Sequence, residues 1–339
     1  LAINCQTNIS TTDENHRSVE FTVSVSEMEK LFDKNISEFR KQVSMKGFRP
    51  GQVPKQLFVS RFGDEVYRET VDKAVNNDLK LEFEKIIETW KTDEKLELAA
   101  PAEHGDLQAD RGQDLVYKLS VAFNKPLTVQ GYKDLGVKVP AVVVSEEEIN
   151  DVIKGLRERF ANELEPPSQD EKLYSMVGAE NEADFRAKIS DDILKDKLLK
   201  ARQIALKEAF DKLIAQNPFP VLEEQIKYTA ERSLQQHQEE EVTISKEQLD
   251  AMRPEIILAI QEDRILRAIA EQESLKPTQG QVDARIQEIA DSARMDFALA
   301  KDAMRKNGQI NRLRENLKLE LAQNLLIGES LPEKIQEKA

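Results

Sequence analysis

The sequence predicts a small α+β domain at the N-terminus, followed by an extended all-α helical body. Three observations carry this reading. Alternation of apolar and polar residues with period two, the mark of a half-buried strand, occurs in the first 130 residues, as at Val19, Phe21 and Val23. From residue 168 onward, helical patterns follow one another with clear stop signals and no convincing strand. Charged residues make up 33% of the 339 and aromatic residues only 6%, a balance that favours long solvated helices over a compact β-rich enzyme. A chain of this length holds two or more domains.

In chain order, a strand over Leu1, Ile3 and Cys5 is followed by another in which Val19, Phe21, Val23 and Val25 alternate with Glu20, Thr22 and Ser24. A helix then carries Met28, Leu31, Phe32, Ile36, Phe39 and Val43 at helical spacing, opened by a capping box of Ser26 and Glu29. The octet Gly47-Phe48-Arg49-Pro50-Gly51-Gln52-Val53-Pro54 interrupts it, because two glycines and two prolines cannot lie inside a helix or a central strand. Leu57, Phe58 and Phe62 mark a short helix that Gly63 is expected to stop. A longer helix follows Asp64, with Tyr67, Val71, Ala74, Val75, Leu79, Phe83 and Ile86 on its buried side. Strands return over residues 96–100 and at Leu115, Tyr117, Leu119, Val121 and Phe123, joined by a loop holding His104, Gly105 and Gly112. The result is a small sheet with helices on one face and a helix-loop-helix finger.

Residues 126–144 read as an extended linker, and Ser145 with Glu148 forms a capping box for a helix bearing Ile149, Val152, Ile153, Leu156 and Phe160. After Glu165-Pro166-Pro167-Ser168, helices are expected over 169–177, 182–216, 221–241, 246–274 with Pro254 inside it, 279–294, 296–306 and 309–327. Their apolar stripes, such as Val282, Ile286, Ile289 and Ala293, are narrow. Helices of this kind bury one seam and leave the rest in water.

The formal charge is −14, yet residues 39–63 hold six cations (Arg40, Lys41, Lys46, Arg49, Lys55, Arg61) and no acid. This basic finger fits a polyanionic partner, while the acidic remainder argues against bulk nucleic-acid binding. An ordinary αα-turn with Phe48 folded into the core is the alternative. His16, His104 and His237 are scattered, so no metal site is expected. The single cysteine, Cys5, fits a reducing compartment and reads as an inert thiol. Glu146-Glu147-Glu148 lies in the opening turn of a helix, where negative charge complements the dipole, and Glu239-Glu240-Glu241 reads as a solvated face. No nucleophile–base–acid set, phosphate loop or cofactor motif assembles, and no apolar run approaches the ~18 residues a membrane span needs. The first residue is Leu1 rather than Met, and no charged leader followed by an apolar core opens the chain. A binding protein without catalytic residues is expected.

The stretch Gly-Phe-Arg-x-Gly-x-Val-Pro between two helices near the N-terminus resembles the ribosome-docking signature of the trigger factor family of bacterial ribosome-associated chaperones. The order of elements over residues 1–130 is similar too. The resemblance implies a ribosome-binding domain at 1–130, a linker strand and connecting helix at 131–168, and a helical chaperone domain at 169–339 with protruding arms, for which the helices over 221–241 and from 246 are the candidates. It implies that Lys46, Gly47, Phe48, Arg49, Pro50, Gly51, Val53 and Pro54 form the docking site. Its target is the large ribosomal subunit, protein and ribosomal RNA, beside the polypeptide exit. Pro50 and Gln52 stand where some members have lysine. Nascent and unfolded chains are the implied clients, a homodimer the implied state off the ribosome, and the cytoplasm the implied location, with no membrane partner. The family's prolyl-isomerase domain would enter near 162–168, where only a turn fits, so it is expected to be absent, by nature or by excision. The alternatives are a trigger-factor-derived peptidyl-prolyl isomerase that has lost its catalytic domain, and a ribosome-independent helical holdase or assembly factor.

Overall fold

The computed structural model describes residues 3–43, 45, 48–49, 51–160, 168–235 and 244–328. It divides into two compact units, Leu1–Pro126 with Pro220–Ile257, and Leu127–Phe219 with Leu258–Ala339. The α+β start and helical continuation predicted from the sequence are both present.

The first unit is built on an antiparallel sheet. Strand β1 (Gln6–Thr11) forms a hairpin with β2 (His16–Val23), in register Gln6↔Thr22 to Thr11↔Arg17. Strand β2 pairs in turn with β5 (Leu115–Asn124), from His16↔Ala122 to Val23↔Leu115. The other edge of β5 takes β3 (Glu97–Leu98) and β4 (Glu103–Gln108). Val19, Phe21, Val23, Leu115, Tyr117, Leu119 and Val121 are all buried, as period-two patterning requires. Against them lie helix α1 (Val25–Gln42), helix α2 (Lys55–Lys73) and helix α3 (Lys80–Asp93), the last two joined by a π-helical turn at Ala74–Leu79. Arg17 closes the end of this core: its guanidinium lies 4.9 Å from the Trp90 ring centre and donates to Glu94 at 2.9 Å.

Four local expectations are corrected. The first strand begins at Gln6, after Cys5 rather than over residues 1–5; all six of its side chains are exposed, so it carries no alternation to read. Helix α1 is capped by Ser24, not Ser26, because Asp114 accepts from the Val25 amide at 2.8 Å and lets the helix start directly after β2. Gly63 does not stop a helix. It is buried within α2, where an added Cβ would sit 3.2 Å from Val59 Cγ1, and the neighbouring burial of Val66 and Tyr67 outweighs glycine's poor propensity of about 1 kcal/mol. Finally, β4 lies where a loop was expected, with Gly105 passing so close to β5 that a Cβ would meet the Lys118 carbonyl at 3.1 Å.

In the second unit, residues 127–144 run without a ladder but bury Val129, Tyr132, Leu135 and Val137 against α6 (Glu182–Gln216) and α8 (Lys246–Gln272). Ala205 and Ala209 of α6 supply the close approach. Helix α4 (Glu146–Phe160) has the expected capping box, with Ser145 N–H donating to Glu148 Oε2 at 2.9 Å and Glu148 N–H to Ser145 Oγ at 3.3 Å. Helix α5 (Ser168–Met176) ends at Gly178, whose φ is +65°. Helix α7 (Glu223–Gln235) belongs to the first unit. Helices α9 (Gln279–Ser292), α10 (Phe297–Lys306) and α11 (Gln309–Leu326) share a small core of Val282, Ile286, Ala290, Ala300, Leu313 and Leu317. Ile149, Ile153, Leu173, Phe185 and Ile189 form another. Burial is thus divided among separate seams, as narrow apolar stripes dictate. Pro254 sits inside α8 without ending it. The tripled glutamates at 239–241 lie outside the described residues.

The α1–α2 hairpin contains one buried polar link: Asn35 Nδ2 donates to Thr70 Oγ1 at 2.8 Å, and Thr70 passes its own proton to the Val66 carbonyl at 2.7 Å. Thr70→Val leaves the Asn35 donor unsatisfied and lowers stability by about 1–3 kcal/mol in chemical denaturation. Adding Asn35→Leu recovers part of that loss. A double variant that is less stable than the single one contradicts this account.

Candidate functional site: the finger between α1 and α2

The sequence folds here as two helix ends held by a short irregular crossing. Val43 leaves α1 in an extended conformation, its amide donating to the Phe39 carbonyl at 3.0 Å. Three further backbone bonds close the turn: Phe48 N–H to Met45 O at 2.9 Å, Gln52 N–H to Arg49 O at 3.0 Å, and Gly51 N–H to Arg40 O at 2.7 Å. The last ties the tip directly to the final turn of α1. Gly51 has φ +83° with open space around its Cα, so glycine is required by conformation rather than by room. Pro54 caps α2 without a side-chain hydrogen bond, and its carbonyl accepts from Phe58 N–H at 3.0 Å.

The side chains divide into tethers and presenters. Val53 and Phe58 are wholly buried, and Met45 nearly so, which pins both strands of the crossing to the hairpin core. Phe48 remains 38% exposed, and Arg49, Gln52 and Pro54 are exposed beside it. The alternative of a Phe48 folded into the core is therefore not what the structure holds. Lys46, Gly47 and Pro50 lie outside the described residues.

One presenter was not anticipated. Leu57 is expected, with Phe58 and Phe62, to mark the apolar side of this helix, yet it is 43% exposed. Phe58 and Phe62, four residues apart and with ring centres 5.0 Å apart, already define the inward face of α2. Leu57 lies one step off it, a signal that was available in the sequence. Lys41, Arg49 and Arg61 are exposed and make no ion pair among the described residues, whereas Lys55 pairs with Asp33 at 2.7 Å. Arg40 is half-buried, its Nε without a partner among the described residues. The tip thus offers large apolar groups set among uncompensated cations, a surface suited to an anionic partner with apolar recesses.

No group of three or more metal-ligating side chains occurs among the described residues. Burial pushes the half-buried Cys5 thiol above its ordinary value, which disfavours the reactive thiolate. Glu148, within the acidic run, is held below the carboxylate range chiefly by Lys197, and Glu146 pairs with Arg186 at 2.6 Å, both structural roles. No helix among the described residues is long and apolar enough to cross a membrane.

Comparison with known families decides the relationship. Residues 5–156 match the family model described as "Bacterial trigger factor protein (TF)", and residues 181–328 match "Bacterial trigger factor protein (TF) C-terminus". The chain belongs to the trigger factor family. Only residues 157–180 lie between the two matches, too few for the ~100 residues of an inserted isomerase domain. Trigger factor of Leptospira borgpetersenii serovar Hardjo-bovis (strain JB197) is 28% identical over 143 residues, which is 42% of this chain and 30% of that protein. Trigger factor of Francisella tularensis subsp. mediasiatica (strain FSC147) is 26% identical over 182 residues, 52% of this chain and 40% of that one. The matched stretches thus span well under half the length of these curated relatives. A solved structure of the trigger factor chaperone, reported for promiscuous substrate recognition in folding and assembly activities, superposes with a TM-score of 0.57 at 14% identity. It covers 96% of this chain and all of its own, and shows that the fold is shared.

Gly51→Ala forces a left-handed backbone on a residue with a Cβ and costs about 1–2 kcal/mol, whereas Phe48→Ala stays within about 0.5 kcal/mol of the parent. Thermal unfolding of the two variants reads this directly; equal losses would contradict the division into backbone tether and exposed presenter.

Proposed function

We propose that this chain is a ribosome-associated chaperone that docks beside the polypeptide exit through the finger at residues 46–54 and holds nascent or unfolded chains on its helical body. The observation that carries the docking role is Phe48 and Arg49 presented to solvent on a crossing pinned by buried Val53, in a chain of the trigger factor family. Phe48 serves as the apolar anchor. Arg49 makes charge-assisted bonds to phosphate or carboxylate. Lys41, Arg61 and Lys46 steer the approach, Gly51 and Pro54 shape the turn, and Gly47 and Pro50 belong to the same proposed docking stretch. The proposed partners are protein and RNA of the large subunit, in the cytoplasm, with a homodimer formed away from the ribosome. Residues 1–130 would then be the ribosome-binding domain, 131–168 the connection, and 169–339 the chaperone body.

Exposed apolar residues of that body, among them Leu199, Ile204, Met176 and Leu299, support weak multivalent holding of clients. With two trigger factor matches and no room for an isomerase domain between them, the chain acts by binding and does not accelerate prolyl isomerisation of a tetrapeptide.

Co-sedimentation with ribosomes tests the docking role. The parent pellets at low salt and progressively less as salt rises, as expected for contacts to phosphates. The Phe48→Ala/Arg49→Ala variant stays folded and remains in the supernatant. If neither pellets at low salt, uncharged Pro50 and Gln52 have cost the finger its affinity, and the chain is a free helical holdase.

A further inference from the structure

Away from the finger, at the turn between β1 and β2, one histidine touches two carboxylates. His16 Nδ1 lies 2.8 Å from both oxygens of Asp13, and His16 Nε2 lies 3.3 Å from Glu224 Oε1 in the first turn of α7. Asp13 is anchored as an anion, because its Oδ1 also accepts from the amides of Asn15 at 2.8 Å and His16 at 2.9 Å. These bonds, that of Asn15 foremost, hold its carboxyl below the usual range. Nδ1 must therefore carry a proton at neutral pH. A neutral imidazole has only one N–H. With that proton fixed on Nδ1, Nε2 presents a lone pair to the Glu224 carboxylate, and the contact becomes a hydrogen bond only in the imidazolium form.

Helix α7 is seated by the burial of Ile226 and Ala230 along its length, while at its N-terminal end the contacts with the sheet are few. There Leu222 packs on Ala99 and Ala122, and Asn124 Nδ2 reaches Gln225 Oε1 at a long 3.3 Å, the buried Asn124 Oδ1 having no partner among the described residues. The other charged groups nearby are committed elsewhere: Glu14 to Lys125 at 2.9 Å, Arg17 to Glu94, and Glu223 to Arg253 at 2.7 Å.

We propose that His16 is a proton-operated clasp between the β1–β2 turn and helix α7, closed by the imidazolium and opened when Nε2 loses its proton. Its carboxylate partners, Asp13 foremost, raise the histidine above its ordinary value. The sign follows from that direction. The clasp contributes fully below the unfolded-state value of histidine, and its contribution is lost as pH rises through the higher folded-state value. The device biases how firmly α7 sits on the outer face of the sheet and is independent of docking by the finger.

The experiment uses the full chain free of ribosomes, with His16 titrated by NMR and amide exchange of residues 222–230 followed at about pH 6 and about pH 8, either side of the ordinary histidine range. After correction for intrinsic rates, exchange in the parent rises about two- to fivefold between the two, as expected for a partly exposed ion pair. Glu224→Gln, whose amide can donate to a neutral Nε2, lowers the His16 midpoint and makes α7 protection independent of pH. His16→Gln is likewise flat while keeping the parent's far-ultraviolet spectrum. If Glu224→Gln leaves the His16 midpoint unchanged, or if parent and Glu224→Gln show the same exchange at both pH values, the clasp does not exist.

Discussion

The first unit depends on the hydrogen bonding of β5 along both of its edges. With β2 on one side and β3 and β4 on the other, this strand has no free ladder, and its side chains are shared between two faces of the sheet. On the helical face, Tyr117, Leu119, Val121 and Phe123 receive α1 to α3, with Trp90 meeting Phe123 edge-to-face at 5.1 Å between ring centres. On the opposite face, Ala122 is small enough to let Leu222 approach. The finger hangs from this arrangement: the hairpin of α1 and α2 is rigid because its inner face is fixed on β5 and β2, and the tip inherits that rigidity through Val53, Met45 and Phe58. A finger built on a packed hairpin holds its exposed side chains in place, so that any contact they make would not have to order a loop, a cost that flexible segments bear.

The second unit uses a different economy. Its helices are joined by narrow apolar seams, and much of their surface carries charge pairs three or four residues apart, such as Lys188 with Asp184 and Lys212 with Glu208. Such pairs contribute only a few tenths of a kcal/mol each. Stability therefore rests on the seams and on the buried extended stretch around Val129 and Val137, while the remaining surface is free to be solvated or to meet other chains.

Helices with distinct caps were the most legible part of the sequence. Ser145 with Glu148, and Asn217 with Pro218 after α6, marked boundaries that the structure reproduces, because caps are local chemistry. The strand containing Val19 and Phe21 was readable for the same reason that it is buried on one face. Strand β1 was not, since a strand exposed on both faces has no periodicity. Strand β4 was hidden because its glycine answers to the neighbouring strand's backbone. Gly63 misled because a buried glycine inside a helix and a glycine that ends one look alike without the tertiary neighbours. At the finger, the octet and its cations were evident, and the exposure of Leu57 was also readable, since it lies one step off the i, i+4 face of Phe58 and Phe62. The packing of residues 220–257 with residues 1–126 had no local signal, since Leu222 with Ala99 and Ala122, the amides of Asn124 and Gln225, and the His16–Glu224 contact form no motif and join positions far apart in sequence.

That last packing has a bearing on the order in which the molecule can be completed. The ladders of the sheet close by residue 124, so its helical face can be assembled as soon as that much chain has emerged during synthesis. Its other face at Ala99 and Ala122 must wait for Leu222, with residues 127–219 made in between. During that interval the protein is itself an incomplete nascent chain, exposing the small apolar surface at Ala99 and Ala122 that Leu222 later covers.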